Sequence, residues 1–235
     1  MMPSLEAPTG GAYLGPRVRV RGAVFGYGTD SPIVDDWSAE FHPGTVTAIT
    51  GPSGCGKSTR LYLLGLMVKL TAGAVEIDGQ RVDHLSDAAR SRIRAWRFGF
   101  VFQDAALDPT RSVLDNIIEA SLYRNQSRRE AAQRARELMD RFDIAIPPDR
   151  RPGQISGGQA QRIALCRALL GEPDILVADE ATGNLDPRSA ATVLEAFREH
   201  AVTGGCAIVV THDPTVAGWA DRRISLDPLH EGVSA

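Results

Sequence analysis

The run Gly51-Pro52-Ser53-Gly54-Cys55-Gly56-Lys57-Ser58-Thr59 fits the pattern GxxxxGK[ST]. Glycines at this spacing let the backbone turn its N–H groups toward a phosphate, and a helix starting at the lysine adds its dipole. Lys57 would reach the β- and γ-phosphates of a nucleotide, and the Ser58 hydroxyl would bind Mg²⁺. Such a site needs a carboxylate for the metal. Asp179 ends the apolar run Ile175-Leu176-Val177-Ala178, and Glu180 follows it. Asp179 is then the metal-side acid, and Glu180 is placed to take a proton from attacking water. A third segment, Ile155-Ser156-Gly157-Gly158-Gln159, has a capping serine before two glycines, a second helix start able to face an anion. The chain already carries one set of phosphate contacts, so this second start would serve nucleotide held by another copy. A plain glycine-rich helix start is the simpler alternative.

Each of these segments needs an element to place it. Val18 and Val20 alternate with Arg17, Arg19 and Arg21, the pattern of an edge or half-exposed strand. Residues 46–49 read as a strand leading into the glycine-rich loop, 57–68 as a buried helix, and 74–77 as a short strand ending at the Asp78-Gly79 turn. Residues 98–102 form a compact aromatic and β-branched run, read as a buried strand. From Asp104 to about Gln154 the apolar residues come at helical spacing. Ala131, Ala135, Leu138, Met139 and Phe142 line one face of a helix over 128–142, and its arginines read as a solvated face. Further strands are expected over 175–178, 206–210 and 223–226, and helices over 157–170, 188–200 and about 215–220. Strands alternating with helices, several too apolar to have a wet face, predict a largely parallel sheet covered on both sides.

Composition narrows the function classes. Of 235 residues, 43% are hydrophobic and 23% charged, enough for a core under a solvated surface. The 26 basic and 29 acidic residues leave a net charge of −3, which offers no overall electrostatic reason to bind nucleic acid. Three cysteines, Cys55, Cys166 and Cys206, with no CxxC spacing suit a reducing compartment rather than a disulfide framework or a structural zinc. Cys55 lies near Lys57 at a helix start; both neighbours favour a thiolate, so it is expected to be reactive when the site is empty, with a small side chain used only for packing as the alternative. The N-terminal residues lack a basic start followed by an apolar run. The most apolar helical stretch, 61–68, stops at Lys69, short of the ~20 residues a bilayer span needs. Any membrane role is therefore expected through a partner.

Taken together, these motifs resemble, over nearly the whole chain, the nucleotide-binding subunits of ATP-binding cassette (ABC) transporters. The resemblance implies further roles. Gln103, after the 98–102 strand, is similar to the glutamine-loop residue that touches Mg²⁺ and water and senses a transmembrane partner. Ile155-Ser156-Gly157-Gly158-Gln159-Ala160-Gln161-Arg162 resembles the family signature, Gly183-Asn184-Leu185-Asp186 the dimer-contacting loop, and His212 the switch histidine at the γ-phosphate. Tyr27, in Phe25-Gly26-Tyr27, resembles the aromatic that stacks on adenine, with core or turn packing as its alternative. Catalytic roles would fall on Lys57, Gln103, Glu180 and His212, and the metal on Ser58, Gln103 and Asp179. The implied fold is α/β, a P-loop NTPase of ABC type: a RecA-like core sheet, an antiparallel edge subdomain and a small helical subdomain. One domain over 17–235 would hold the helical insert at about 104–165, with 1–16 flexible.

The resemblance also implies ATP and Mg²⁺ as ligands and a head-to-tail, ATP-sandwiching dimer. Its partner would be a set of transmembrane permease subunits touching residues 103–109 and a helix over 113–122, which places the protein on the cytoplasmic face of the cell membrane, peripheral through the permease. No nucleic acid is expected. Leu85-Ser86 before an arginine-rich helix, and Ala178-Asp179-Glu180-Ala181-Thr182-Gly183-Asn184-Leu185-Asp186, look like the ATPases of macrolide export and lipoprotein release. Ala181, Ile155 and Asp227-Pro228-Leu229 depart from the proline, leucine and Asp-Gly-Arg usual in that group. The alternative function is a soluble ABC-type ATPase in a non-transport process, although the chain has no long coiled-coil insert, paired cysteines or second cassette. A small-molecule kinase or GTPase would leave residues 156–159 unexplained, and no Asn-Lys-x-Asp guanine-reading sequence is present.

Overall fold

The computed structural model describes residues 14–28, 31–124, 126–183 and 185–226. Its elements in chain order are β1 (Val18–Phe25), β2 (Val34–Phe41), β3 (Val46–Thr50), α1 (Lys57–Leu64), β4 (Ala72–Ile77), β5 (Gln80–Arg81), α2 (Asp87–Arg97) and β6 (Phe98–Phe102). Then follow α3 (Val113–Ile118), a 3-10 turn (Glu119–Tyr123), α4 (Arg128–Arg141), a second 3-10 turn (Pro152–Gln154), α5 (Gly157–Leu169), β7 (Ile175–Asp179), α6 (Pro187–Val202), β8 (Cys206–Val210), α7 (Pro214–Trp219) and β9 (Arg222–Ser225).

The apolar runs become a five-stranded parallel sheet in the order β6-β7-β8-β3-β9. Every residue of β3 and β8 is buried, as expected for parallel strands covered on both faces. Alternation along β7 divides the core. Leu176 and Ala178 join a cluster with α3–α6, while Ile175 and Val177 join one with α1 and the second sheet.

That second sheet is antiparallel, in the order β2-β1-β4-β5. β1 is half-exposed as expected, but it lies between β2 and β4 rather than at an edge. On its open side Arg19 stands opposite Glu40 and Glu76 in both pairings and contacts them at 2.7 and 3.7 Å. Local patterning does not reveal β2. Its Asp35-Asp36 pair is exposed, and irregular register against β1 breaks the apolar alternation. The helix expected over 57–68 ends at Leu64: Gly65 caps it and Leu66 takes a left-handed conformation, φ 56°. The helix expected over 113–122 is α for its first part only and then tightens into the 3-10 turn.

Helices α3, α4 and α5 pack on one another through Val113, Ile117, Ala131, Ala135, Leu138 and Ile163. A capping box between Ser127 and Glu130 starts α4. Its outer arginines meet acids, Arg128 with Asp115 and Arg134 with Glu172, each at 2.6 Å, and Arg141 with Glu199. Among the described residues no helix is long and apolar enough to cross a membrane.

The loop between β6 and α3 is organised by Asn116, which is fully buried. Its amide oxygen accepts the Asp108 N–H at 2.7 Å, and its Nδ2 donates to the Asp108 and Ser112 carbonyls at 3.0 and 2.9 Å. Asn116→Ala strands the Asp108 N–H, while the Ser112 and Asp108 carbonyls keep the Asn116 and Arg111 N–H groups, and is expected to lower unfolding free energy by about 1–2 kcal/mol in urea titration. A change within experimental error would show that the loop finds other partners.

Candidate active site

Strand register brings the chemical residues together. Phe102 of β6 is level with Asp179 of β7, Asp179 with Val210 of β8, and Val210 with Ile49 of β3. The residues that follow these strand ends therefore emerge along one edge of the sheet, where open α/β sheets bind ligands. Gln103, Glu180, Thr211-His212 and the loop 51–56 all leave from it.

The loop wraps the start of α1. Gly56 is its cap residue, with φ 79°; a Cβ there would lie 2.8 Å from Ile33 and 2.9 Å from Arg60 Nη1. Lys57 turns back on its own loop and donates from Nζ to the Gly51 and Pro52 carbonyls, 2.9 Å each. Ser58 Oγ donates to Asp179 Oδ1 at 3.2 Å, and Thr59 is buried behind it. Pro52, Ser53 and Gly54 form the exposed crest.

Cys55 corrects the expectation of a reactive thiol. It is 1% exposed and belongs to the core cluster under the loop. A Cβ added at Gly51 would come within 2.7 Å of its Sγ and 3.0 Å of the Leu226 carbonyl. The thiol is thus folded beneath Gly51, out of reach of solvent.

Burial pushes the Asp179 carboxyl above the ordinary carboxylate range and Glu180 pushes the same way, against the Ser58 hydrogen bond and the Lys57 charge. Asp179, Ser58 and Gln103 line one cleft of about 790 Å³ with Tyr62, Met67, Phe102 and Asp104. A desolvated carboxylate, a hydroxyl and an amide oxygen are hard donors of the kind Mg²⁺ takes alongside phosphate and water, so the donor set fits that ion. Glu180 has φ 50°, and its N–H donates to the Val210 carbonyl at 3.0 Å, tying the exits of β7 and β8 together. Its Oε1 meets His212 Nδ1 at 2.8 Å.

Two residues hold the Gln103 loop, one inside the signature-like segment and one to which no sequence pattern assigns a role. Gln161, 2% exposed on α5, donates to the Phe102 carbonyl at 2.8 Å. Arg167 donates to the Ala105 and Ala106 carbonyls at 2.7 Å each, and both alanines are left-handed, φ 59° and 45°. A polar residue on the apolar stripe of a helix is the one signal that points to them. Tyr62, lining the cleft from α1, carries no sequence signal of its own.

Residues 156–159, Asp186 and Tyr27 complete the predicted set. Ser156 and Gln159 close a capping box at the start of α5, with Ser156 Oγ accepting the Gln159 N–H at 3.2 Å and Gln159 Oε1 accepting the Ser156 N–H at 2.9 Å. Gly157 faces open space, and a Cβ at Gly158 would stand 2.9 Å from Ser189 Oγ and 3.5 Å from Asp186 Oδ2. Asp186 caps α6 by accepting the Arg188 and Ser189 N–H groups at 3.0 and 3.1 Å, and hydrogen bonds from Ser189 hold its carboxyl below the usual range. This second helix start therefore belongs with α6 rather than with the strand edge. Tyr27 is 58% exposed, its ring edge-on to Phe25 with centroids 4.9 Å apart. Asn184 and residues 227–229 lie outside the described residues.

Burial of all three thiols sets an expected outcome. Burial also pushes the Cys166 and Cys206 thiols up to about 12. Maleimide mapping by mass spectrometry should leave Cys55, Cys166 and Cys206 unmodified in the native protein and label all three in urea. Rapid native labelling of Cys55 would show that the loop opens.

The family model described as ABC transporter matches residues 34–183. The lipoprotein-releasing system ATP-binding protein LolD 1 of Rhodospirillum rubrum is 42% identical over 186 residues, 79% of this chain and 82% of that protein. LolD 2 of Caulobacter vibrioides is 39% identical over 202 residues, 86% and 89% of the two chains. Among solved structures, the dimer of MJ0796, a bacterial ABC transporter cassette, superposes with a TM-score of 0.83 at 31% identity, covering 90% of this chain and 94% of that one. The dimeric post-hydrolysis state of the same cassette bound to ADP and Pi gives a TM-score of 0.79 at 31% identity, covering 89% and 94%. With a sheet edge that gathers a phosphate loop, paired acids and a histidine, the chain belongs to the ABC transporter family, in which it is an ATP-binding, ATP-hydrolysing subunit.

Proposed function

We propose that this subunit hydrolyses MgATP between two copies of itself, at the cytoplasmic face of a membrane, to drive a separate permease of the lipoprotein-release or macrolide-export kind. One observation carries the reading. Lys57, Ser58, Gln103, Asp179, Glu180 and His212 share one sheet edge, whereas the second anion-facing helix start, at Ser156, sits beside Asp186 on α6. Two anion sites that belong to different parts of one chain can serve a single γ-phosphate when they come from different copies. The relatives, named lipoprotein-releasing system ATP-binding proteins, support the lipoprotein-release side of this reading.

Each residue then has a task. N–H groups of residues 51–59 receive the phosphates, with Gly51, Pro52, Ser53, Gly54, Cys55 and Gly56 shaping the turn, and Thr59 packs behind them. Lys57 exchanges two loop carbonyls for phosphate oxygens. Ser58, Gln103 and Asp179 would hold Mg²⁺, whose charge offsets that of the phosphates when it is bound. Glu180 accepts the proton of the attacking water, oriented by its contact with His212, which also reaches the γ-phosphate. Tyr27 offers an exposed ring to the base. Ser156, Gly157, Gly158 and Gln159 of the second copy close the site, with Asp186 near the joint.

The permease is assigned to the groove beside the Gln103 loop. This cavity of about 740 Å³ is lined by Met67, Phe98, Phe100, Phe102, Ala106 and Arg124, among others. Ala106 is exposed there and Ala105 is buried, so pressure on the groove reaches Gln103 through the loop that Arg167 holds.

Glu180→Gln keeps size and hydrogen bonding but removes the base. It should bind ATP, lose at least about 100-fold in kcat, and accumulate as a dimer in light scattering. Lys57→Ala and Ser156→Arg should each be inactive alone, and mixing them should restore some turnover through one intact composite site. Glu180→Gln protein that stays monomeric at saturating MgATP, together with full wild-type turnover by monomers, would exclude the shared site. Ala106→Cys should crosslink to a co-expressed permease, and crosslinks from the opposite face alone would reject the groove.

A further inference from the structure

Arg60 lies in the first turn of α1, and its side chain runs back beneath the phosphate loop. Nη1 donates to the Cys55 carbonyl at 2.7 Å and to the Gly56 carbonyl at 3.3 Å. The guanidinium lies over Trp37 of β2, 5.5 Å from the ring centroid. The residue is 8% exposed, and its Nε is buried without a hydrogen-bond partner. Burial also draws its pKa below the ordinary arginine value. Folding stability alone does not favour this arrangement, since an apolar side chain of similar size avoids the desolvation cost of a half-paired cation.

The geometry fits another role. A trans peptide unit is planar, so its carbonyl and its N–H point in opposite directions. The Cys55 carbonyl shares a unit with the Gly56 N–H, and the Gly56 carbonyl shares one with the Lys57 N–H. Holding the Cys55 carbonyl toward the guanidinium turns the Gly56 N–H to the other side of the loop, and the Gly56 carbonyl, which already accepts the Arg60 N–H at 3.0 Å, gains a second and longer bond. A positive charge at the carbonyl ends also polarises the two units and strengthens their donors.

We propose that Arg60 is a positioning residue for phosphate binding, fixing the Cys55–Gly56 peptide unit and reinforcing the next one so that their N–H groups face the phosphates of the bound nucleotide. Trp37 holds the guanidinium in place and thereby links the antiparallel sheet to the loop. The proposal rests on reading residues 51–59 as the nucleotide loop and adds a determinant that the GxxxxGK[ST] pattern does not contain.

The test compares wild type, Arg60→Met and Arg60→Lys. Methionine keeps a flexible stem over Trp37 and removes the donors; lysine keeps one charged donor. Calorimetry with MgATP and MgADP, steady-state kinetics and melting of the nucleotide-free protein are measured for each. Arg60→Met should bind both nucleotides about tenfold more weakly and raise KM by a similar factor, with kcat changed less than about twofold, because these donors serve ground and transition states alike. Its nucleotide-free melting temperature should equal or exceed that of wild type. Arg60→Lys should recover part of the affinity.

A folded Arg60→Met protein with wild-type affinity for ATP and ADP overturns the proposal. So does an affinity loss accompanied by a lowered melting temperature that lysine does not repair, which would make Arg60 a packing residue. If Arg60→Met does not fold, Arg60→Lys decides: binding weakened about threefold supports the proposal and unchanged binding overturns it. Wild type unable to bind MgATP would remove the loop reading itself, and the wild-type arm separates that failure from the others.

Discussion

The parallel register of β6, β7, β8 and β3 is the constraint on which the rest depends. Phe102, Asp179, Val210 and Ile49 stand in one row across the sheet. Parallel strands point their ends the same way, so four loops distant in sequence leave at one level. A slip of one residue in any pairing would move the following side chain by a strand rise of about 3.3 Å and reverse its face. Near-complete burial of β3, β7 and β8 on both faces makes such a slip expensive. The hydrophobic core is therefore what keeps Asp179 at hydrogen-bonding distance from Ser58 and Glu180 within reach of His212.

Around that edge the molecule uses arginines as clamps on backbone carbonyls. Arg94 holds Leu66 at 2.6 Å, Arg90 holds Val68 at 3.2 Å, Arg167 holds Ala105 and Ala106, and Arg124 holds Ala95, Trp96 and Gly171. A guanidinium presents five donors in a rigid fork, so one residue can satisfy carbonyls from several segments. Most of these clamps stand where helices end, the places where carbonyls lack helical partners, and the Arg167 clamp stands on the loop that follows β6. Through Gln161 and Arg167 one helix, α5, carries both the Ser156 start and the grip on the Gln103 loop. Movement of that helix relative to the sheet would move both.

The edge also holds conformations and charges that folding disfavours. Glu180, Ala105 and Ala106 are left-handed without being glycine, Asp179 is desolvated beside another acid, and Lys57 is bound to carbonyls of its own loop. Local conflicts of this kind gather where a ligand resolves them. In the proposed function, phosphate would offer Lys57 a charged partner in place of two neutral ones, and Mg²⁺ would offer Asp179 a counter-charge.

Much of the site is legible in the amino-acid sequence alone, because its motifs are contiguous and local. Gly51 to Thr59 carries its own turn, cap and lysine, the strand 175–179 announces its terminal acids, and Ser156 with Gln159 writes a capping box into four positions. The alternation of apolar strands with helices likewise determines a covered parallel sheet. Side-chain burial within a motif is not legible. Cys55 has the neighbours of a reactive thiol, yet it lies buried against Gly51, where Leu226, 171 residues away, also packs. β2 is hidden because its bulges and exposed acids break the period of two, and only pairing with β1 makes it a strand. Arg60 and Arg167 look like ordinary helix arginines until the fold sets carbonyls against them. Sequence determined which groups could do the chemistry; tertiary structure decided which of them face solvent and which hold others in place, because burial and long-range hydrogen bonds depend on segments that local spacing does not encode.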